Sequence, residues 1–173
     1  MDAPHATEDP SNEGLDWDAL YKAHARAIGR YLMKLVRDDA TAADLVQDAF
    51  IRAMRAEDQL ADRSAVRAWL YRIASNVAIE HLRRRRLLAF LPFLGHEADE
   101  RDVSDPEIDH VRRALAAISP AQAVTLVLCL QEGFSRRDAA NVLGVSEETV
   151  KSRIARGRVA FARAYERLGG GSS

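Results

Sequence analysis

Residues 134–158 read FSRRDAANVLGVSEETVKSRIARGR and have the organisation of a helix-turn-helix. The small pair Ala139-Ala140 allows two helices to approach closely. Gly144 supplies a residue for a left-handed turn, Val145 an apolar plug beneath it, and Ser146 an N-cap for a second helix. The stretch therefore predicts a short helix, a tight turn and a longer helix.

The second helix of this pair presents a basic and polar side. Such a helix fits the major groove of DNA, where long cations reach phosphates and small side chains reach base edges. The alternative is an ordinary capped helix pair with solvated arginines. The candidate DNA contacts are Lys151, Ser152, Ala155 and Arg156.

Start and stop signals continue outward through the C-terminal half. Asp105-Pro106 and Ser119-Pro120 each place a capping residue before a proline at the first helical position. Gly133 is expected to end the second of these helices, and the glycines at 169–171 the last helix of the chain. Residues 106–168 are therefore predicted to form one helical domain, followed by a flexible tail at 169–173.

The N-terminal half shows three helical patterns, in which apolar residues recur at spacings of three and four. The first runs from about 15 to 36, the second starts at Thr41, and the third runs from a Ser64 cap to four arginines at 83–86. Residues 57–64 have turn composition. The apolar stripe of the second helix is expected to be Leu45, Val46, Phe50 and Met54.

Without sustained period-two alternation, the chain is predicted to be all-α, with two small helical domains. The first spans 15–86 and follows a disordered acidic segment, 1–14. A linker is expected at 87–105. Its apolar beginning, 87–94, either packs back on the first domain or contacts a partner.

Composition narrows the function classes. The 173 residues are 47% hydrophobic and 29% charged, and Cys129 is the only cysteine, which excludes an intramolecular disulfide and a cysteine zinc site. The histidines lack metal-ligand spacing, and no apolar run is long enough for a membrane span. We expect a cytoplasmic protein without membrane insertion, cofactor, metal site or catalytic residues.

The net charge of −1 conceals an uneven distribution of basic and acidic residues along the chain. Residues 62–90 hold seven arginines and two acids, and residues 133–168 hold eight basic and four acidic residues. Between them, residues 97–109 carry seven acids and one arginine. Because a phosphate backbone responds to local charge, the pattern indicates two nucleic-acid-binding blocks separated by an acidic linker.

The first basic block contains WLYRIASNVAIEHLRRRR at 69–86. An aromatic and basic helix beside a polar loop is typical of a single-strand platform, because bases stack on aromatic rings and arginines neutralise phosphates. Alternatively, Trp69 and Tyr71 are core residues and the arginines a solvated helix end.

These motifs, with DLVQDAFIRA at 44–53 and LAAISPAQAVTLVLCLQEGFSRRDAANVLGVSEETVKSRIARGR at 115–158, resemble a bacterial RNA polymerase sigma factor. The likeness is to the small extracytoplasmic-function (ECF) branch of the sigma-70 family, which has regions 2 and 4 only. It covers about 16–86 and 107–168. Two motifs in the family's order are more specific than a lone helix-turn-helix.

The resemblance implies a role in transcription initiation for each domain. Region 2 docks on the clamp helices of the polymerase β′ subunit, and the helix at 120–131 helps to hold the β flap. The implied core polymerase contacts are Asp44, Leu45, Gln47, Asp48 and Phe50.

The loop 57–64 and one face of the third helix match the parts that melt and read the minus-10 element, where a flipped base enters a pocket. Leu60 stands where many relatives have an aromatic residue. The implied minus-10 contacts are Leu60, Trp69, Arg72, Ser75 and Asn76.

Region 4 grips the minus-35 element in the family. The resemblance assigns base contacts to Lys151, Ser152, Ala155 and Arg156, where the small Ala155 suits a thymine methyl group. It assigns phosphate contacts to Arg136, Arg137, Arg153 and Arg158. The expected partners are therefore core RNA polymerase, promoter DNA and an anti-sigma factor.

Three other functions remain as alternatives. A simple helix-turn-helix regulator usually dimerises on paired half-sites and leaves the motifs at 44–53 and 69–86 unexplained. A sigma mimic that only sequesters an anti-sigma protein need not keep Asn76, Lys151 and Arg156. An enzyme is the weakest alternative, because the chain has no Gly-rich phosphate loop, metal cluster or nucleophile elbow.

Overall fold

A computed structural model describes residues 14–36, 38–89 and 105–169. Within these ranges the chain forms seven α-helices and no strand, which confirms the all-α prediction. Two single turns of 3-10 helix, Glu57–Gln59 and Arg63–Ala65, lie between the second and third helices. The helices are α1 (Trp17–Leu35), α2 (Asp39–Arg55), α3 (Val66–Ala89), α4 (Pro106–Ala117), α5 (Pro120–Leu130), α6 (Arg136–Leu143) and α7 (Glu147–Arg167).

The predicted caps Asp105, Ser119 and Ser146 are confirmed, and Ser135 is a further cap. Asp105, Ser119, Ser135 and Ser146 each accept a backbone N–H in the first turn of α4, α5, α6 and α7. Gly144 follows α6 with φ at +63°, in the left-handed region where a side chain is strained. These local signals set the helix-turn-helix geometry.

Two helix starts in the N-terminal half differ from the prediction. α2 begins at Asp39 rather than Thr41, because the Asp38 carboxylate accepts the Thr41 N–H at 2.7 Å. Asp62 caps the turn before α3, and the expected cap, Ser64, donates its hydroxyl to Asp62 at 2.6 Å.

The end of α3 also differs, because the helix continues through 87–89. The first residues of the expected linker are therefore helical, and Leu87 is 66% exposed. The rest of the apolar run, at 90–94, and the remainder of the linker up to 104 lie outside the described residues. So does nearly all of the two predicted disordered ends, at 1–13 and 170–173.

The first domain packs α1, α2 and α3 around an apolar centre. α2 contributes its inward residues at the spacing of three and four that a helix face requires, ending at Ala53. Met54 lies one position beyond that face and is 52% exposed, so its predicted place in the core is wrong. The buried residues of this domain include Tyr31, Leu32, Val46, Phe50, Leu70 and Val77.

The second domain packs α4, α5, α6 and α7. A Cβ added to Gly157 on α7 would lie 3.2 Å from Leu126 Cδ1 and 3.3 Å from Gln122 Cβ on α5. The absence of a side chain at 157 therefore lets α7 approach α5 closely. The same buried cluster continues from this domain into the first, with α5 and α6 against α1 and α3.

Candidate nucleic-acid and polymerase interface

The outer side of α7 carries the predicted minus-35 residues. Val150 is fully buried and anchors the start of the helix, so the side chains around the opposite face point outward. Lys151, Ala155 and Arg156 are exposed, and Ser152 is half-buried. The structure thus brings these four residues to one surface of the helix-turn-helix.

The polar groups of that surface make only weak internal contacts. Arg156 donates to the Ser152 hydroxyl at 2.7 Å, and Lys151 lies 3.6 Å from Glu148. The Lys151 and Glu148 side chains are 61% and 79% exposed, and such ion pairs contribute little to stability. These contacts therefore hold the side chains of this surface only weakly.

The four predicted phosphate contacts do not share one environment. Arg136 and Arg137 are exposed at the start of α6, where the helix dipole also favours an anion. Arg153 is half-buried. Arg158 is exposed but lines an apolar groove of about 180 Å³ between α4, α5 and α7, beside Leu130.

A cleft of about 350 Å³ lies on the first domain, between α2 and α3. It unites three predicted minus-10 residues, because Trp69, Arg72 and Asn76 all line it. Two further arginines line the same cleft. Arg83 follows Asn76 by seven residues on the same helix face, a spacing that the sequence already contained.

The second additional arginine comes from a different helix. Arg52 of α2 donates to Asp48 at 3.0 Å and to Glu80 of α3 at 2.8 Å. These two carboxylates raise the pKa of Arg52 above its usual value. The sequence pattern of α3 does not predict that Arg52 lines the cleft, because the position of Arg52 depends on how α2 and α3 pack.

The predicted loop residue Leu60 lines a second cavity, of about 340 Å³. Trp69 and Arg72 border this cavity as well, and its far wall is formed by Asn141 and Val142 of α6. Trp69 is 9% exposed and separates the two cavities, so it serves the core and the candidate site together. Little of the ring that was expected to stack on a base is therefore exposed.

Ser75 is not on this surface, which corrects its prediction as a DNA contact. The residue is fully buried, its hydroxyl lies 2.8 Å from the Tyr31 hydroxyl, and it donates to the Tyr71 carbonyl at 2.6 Å. It lies with Tyr71 and Ala78 on the inward face of α3. Burial raises the pKa of Tyr31 well above its usual value, so the pair is neutral.

The predicted polymerase contacts divide in the same way. Asp44 and Gln47 are exposed and Asp48 is half-buried, so they form an outward face of α2. Leu45 and Phe50 are 8% and 5% exposed. Their predicted direct contact is corrected, because both side chains hold α2 against the core.

Two exposed apolar residues complete the outward face of α2. Ile51 is 46% exposed and Met54 is 52% exposed. Ile51 follows Gln47 by four residues, and Met54 follows Ile51 by three, which places them on one helix face. Exposed apolar side chains next to polar ones are a feature of protein interfaces.

The part of the chain that the structure describes holds no metal site and no membrane-spanning helix. No group of histidine, cysteine and acidic side chains there has the arrangement of a metal site. Among the helices that the structure describes, none has the length and hydrophobicity needed to cross a membrane. Cys129 is half-buried, and burial raises the pKa of its thiol.

Comparison with known proteins identifies both domains. Residues 20–87 match Sigma-70 region 2, and residues 108–161 match Sigma-70, region 4. The ECF RNA polymerase sigma factor SigM of Mycobacterium tuberculosis is 33% identical over 148 residues, which are 85% of this chain and 76% of that protein. The ECF factor SigL of the same organism is 29% identical over 79% of this chain and 81% of its own length.

Solved structures give the same result for the fold. The sigma factor RpoE in complex with the anti-sigma factor NepR, from Bartonella quintana, has a TM-score of 0.65 and 25% identity, covering 87% of this chain and 97% of that one. CnrH in complex with the cytosolic domain of CnrY has a TM-score of 0.64 and 26% identity, covering 87% and 88%.

The two helical domains and their matched regions define a protein of the sigma-70 class. Within that class, the chain belongs to the ECF family of RNA polymerase sigma factors.

Proposed function

We propose that this protein binds core RNA polymerase, recognises promoter DNA through both domains and opens the minus-10 element. The observation that carries this proposal is the pair of basic surfaces on one chain: the outer side of α7 and the cleft between α2 and α3. A simple helix-turn-helix regulator needs only the first. The alternative sigma mimic needs neither.

The second domain reads the minus-35 element as a duplex. α7 enters the major groove, where Lys151 and Arg156 reach base edges or phosphates and Ala155 touches a thymine methyl group. Arg136 and Arg137 hold the adjoining phosphates from the start of α6. These contacts fix the register of the protein on the promoter.

The first domain captures one strand of the minus-10 element. Arg72 and Arg83 give the cleft positive charge for the phosphates, whereas Arg52 is paired with Asp48 and Glu80. Asn76 offers an amide that pairs with a base edge. Unstacking a base costs a few kcal/mol, which binding in the cleft offsets. The step is a physical separation of strands, so bond formation stays with the polymerase.

The outward face of α2 docks on the clamp helices of the β′ subunit. Ile51 and Met54 supply the apolar part of this face, and Asp44, Gln47 and Asp48, nearer the start of the helix, supply the polar part. α5 and the groove beside it contact the β flap. Two contacts on separate domains allow the polymerase to set the spacing between the two DNA surfaces.

An anti-sigma factor controls this activity, and the protein works in the cytoplasm, where its polymerase and promoters are. The similar structure from Bartonella quintana contains the sigma factor RpoE bound to the anti-sigma factor NepR. The same faces that dock on polymerase are the natural targets of such a partner, because masking them blocks assembly.

Run-off transcription tests the proposal. Purified core polymerase is given a pool of genomic promoter fragments, with and without this protein. We expect discrete transcripts only in its presence, and their start sites define the minus-10 and minus-35 sequences. Binding to core polymerase without transcripts favours the mimic. Binding to duplex DNA without core association favours the simple regulator.

A matched pair of variants ties the transcripts to α7. Arg156→Ala removes a cation from the proposed DNA surface, and Arg163→Ala removes one from an exposed position two turns further along the helix. We expect only Arg156→Ala to reduce the transcripts. Equal activity of both variants contradicts the proposed minus-35 contact.

A further inference from the structure

The turn between α5 and α6, residues 131–135, ties the second domain to the first through Glu132. Lys34 Nζ of α1 donates to one carboxylate oxygen at 2.6 Å, and the Tyr71 hydroxyl of α3 donates to the other at 2.9 Å. The Glu132 side chain is only 12% exposed. A sheltered carboxylate with two donors is held more firmly than an exposed ion pair.

Phe134 strengthens the same junction with an apolar contact. It is 8% exposed, and its ring centroid lies 4.9 Å from that of Tyr71. The Arg67 guanidinium lies 4.8 Å from the Phe134 centroid and 5.3 Å from that of Tyr71. The cation and both rings, which are tilted by 60° to each other, therefore form one cluster between the domains.

α6 then lies over the proposed minus-10 surface. Arg72 donates to the Asn141 carbonyl at 2.6 Å. Asn141 and Val142 close the cavity whose other wall is Leu60 and Trp69. An unpaired strand that reaches these residues has to enter the space between the loop and α6.

A third contact lies at the far end of α3. Arg86 donates to the carbonyls of Ala116, at 3.2 Å, and Ile118, at the end of α4. These carbonyls lack partners within their own helix, so a cation there is favourable. The domains are thus held together at separate points along α3.

We propose that α6 and the turn 131–135 form an intramolecular cover over the minus-10 surface, held shut by Glu132 and displaced when promoter DNA binds within the polymerase complex. This rests on the proposed function, since Leu60, Trp69 and Arg72 of the covered cavity belong to the predicted minus-10 contacts, and the last two also line the cleft assigned to the strand. The free protein then has a lower affinity for that strand in proportion to its open fraction.

The test compares full-length wild type with Glu132→Lys, which places a cation beside Lys34. Small-angle X-ray scattering measures the radius of gyration, and fluorescence anisotropy measures binding to a single-stranded oligonucleotide carrying the minus-10 sequence from run-off transcription. We expect a larger radius of gyration and an affinity increase on the order of tenfold. The milder Glu132→Gln should give a smaller change in the same direction.

Two further variants separate the ion pair from a general charge effect. Lys34→Glu combined with Glu132→Lys restores opposite charges and should return the protein toward the wild-type radius. Glu166→Lys makes the same charge change at an exposed position of α7 and should keep the wild-type radius. A gain in affinity from Glu166→Lys equal to that from Glu132→Lys overturns the proposal.

Other results also overturn the proposal. Wild-type radius and affinity in Glu132→Lys mean that Glu132 does not hold the domains closed. An expanded protein with unchanged affinity means that α6 does not cover the DNA surface. Failure of run-off transcription instead rejects the proposed function, whereas the scattering comparison still decides whether Glu132 closes the protein.

Discussion

Trp17, at the start of α1, donates its indole N–H to the carboxylate of Glu57 at 2.8 Å. The same carboxylate accepts the Leu15 N–H at 2.5 Å, and these two donors hold the pKa of Glu57 below its usual value. The Trp17 ring lies 6.4 Å from that of Trp69, beside the proposed minus-10 site. The beginning of α1 therefore fixes the position of the loop that contains Leu60.

Replacing Glu57 should impair strand opening more than duplex binding. Glu57→Ala frees the loop from Trp17, so we expect weaker permanganate reactivity of thymines in the minus-10 element within the polymerase complex. Protection of the minus-35 duplex in a footprint should stay at the wild-type level. Asp58→Ala, at the exposed neighbouring position, is the control and should open the promoter normally. Equal loss in both variants contradicts the anchoring role.

Arg83 should contribute a phosphate contact that its neighbour Arg84 does not. Both are exposed on α3, but only Arg83 lines the 350 Å³ cleft. Arg83→Ala should weaken promoter-complex formation at every sequence tested and reduce the slope of log affinity against log salt by about one. The measurement is a salt titration of holoenzyme binding, with Arg84→Ala as the matched control. If Arg84→Ala weakens holoenzyme binding more than Arg83→Ala does, Arg83 is not the phosphate contact.

Ser75 and Asn76 should separate stability from recognition. Ser75→Ala leaves the buried Tyr31 hydroxyl without its partner, which costs about 1–3 kcal/mol of unfolding free energy in urea titrations. Promoter preference should not change. Asn76→Ala removes an exposed amide from the cleft, so it should alter promoter preference with little effect on stability. The reverse pattern contradicts both placements.

The different positions of Ser75 and Asn76 show which features can be predicted from the sequence and which depend on packing. Caps such as Ser146 and turns such as Gly144 depend on a few adjacent residues, so the helix-turn-helix follows from local rules. The direction in which Ser75 points depends on how α3 packs against α1. The place of Arg52 depends likewise on α2 meeting α3, and the contact of Glu132 with Lys34 joins residues that lie 98 positions apart.

His81 should make the stability of the protein depend on acidity. Within the described residues, its Nε2 is buried without a hydrogen-bond partner. Burial has the largest effect and lowers the pKa of the imidazole. The charge of Arg85 and, more weakly, that of Arg84 lower it further, and together they outweigh the opposing charge of Asp38. The neutral form is therefore favoured in the folded state. The stabilisation that neutral His81 gives the folded state is complete above the ordinary histidine pKa of about 6.5. It is lost as the pH falls through the lower pKa that His81 has in the folded protein.

Urea titrations at several pH values from about 7.5 to about 5 check this dependence, because this range spans the usual histidine pKa of about 6.5. The free energy of unfolding should decrease toward the acidic end in the wild type. His81→Gln keeps a polar side chain that does not titrate, so it should flatten part of that decrease. Identical pH profiles for the two proteins contradict a neutral, buried His81.

Ile51 and Met54 should carry much of the affinity for core polymerase. Both are apolar and about half exposed, and they follow the polar residues of the outward face of α2 toward the end of the helix. Met54→Glu should weaken core binding by roughly tenfold or more, as expected for a central interface residue, with little effect on unfolding. Binding is measured with purified core polymerase in the absence of DNA, so that the promoter contacts do not contribute. Val159→Glu, 53% exposed on α7, makes the same change outside the proposed face and should bind normally. Equal weakening by both variants would mean that added negative charge, not loss of an apolar contact on α2, reduces the affinity.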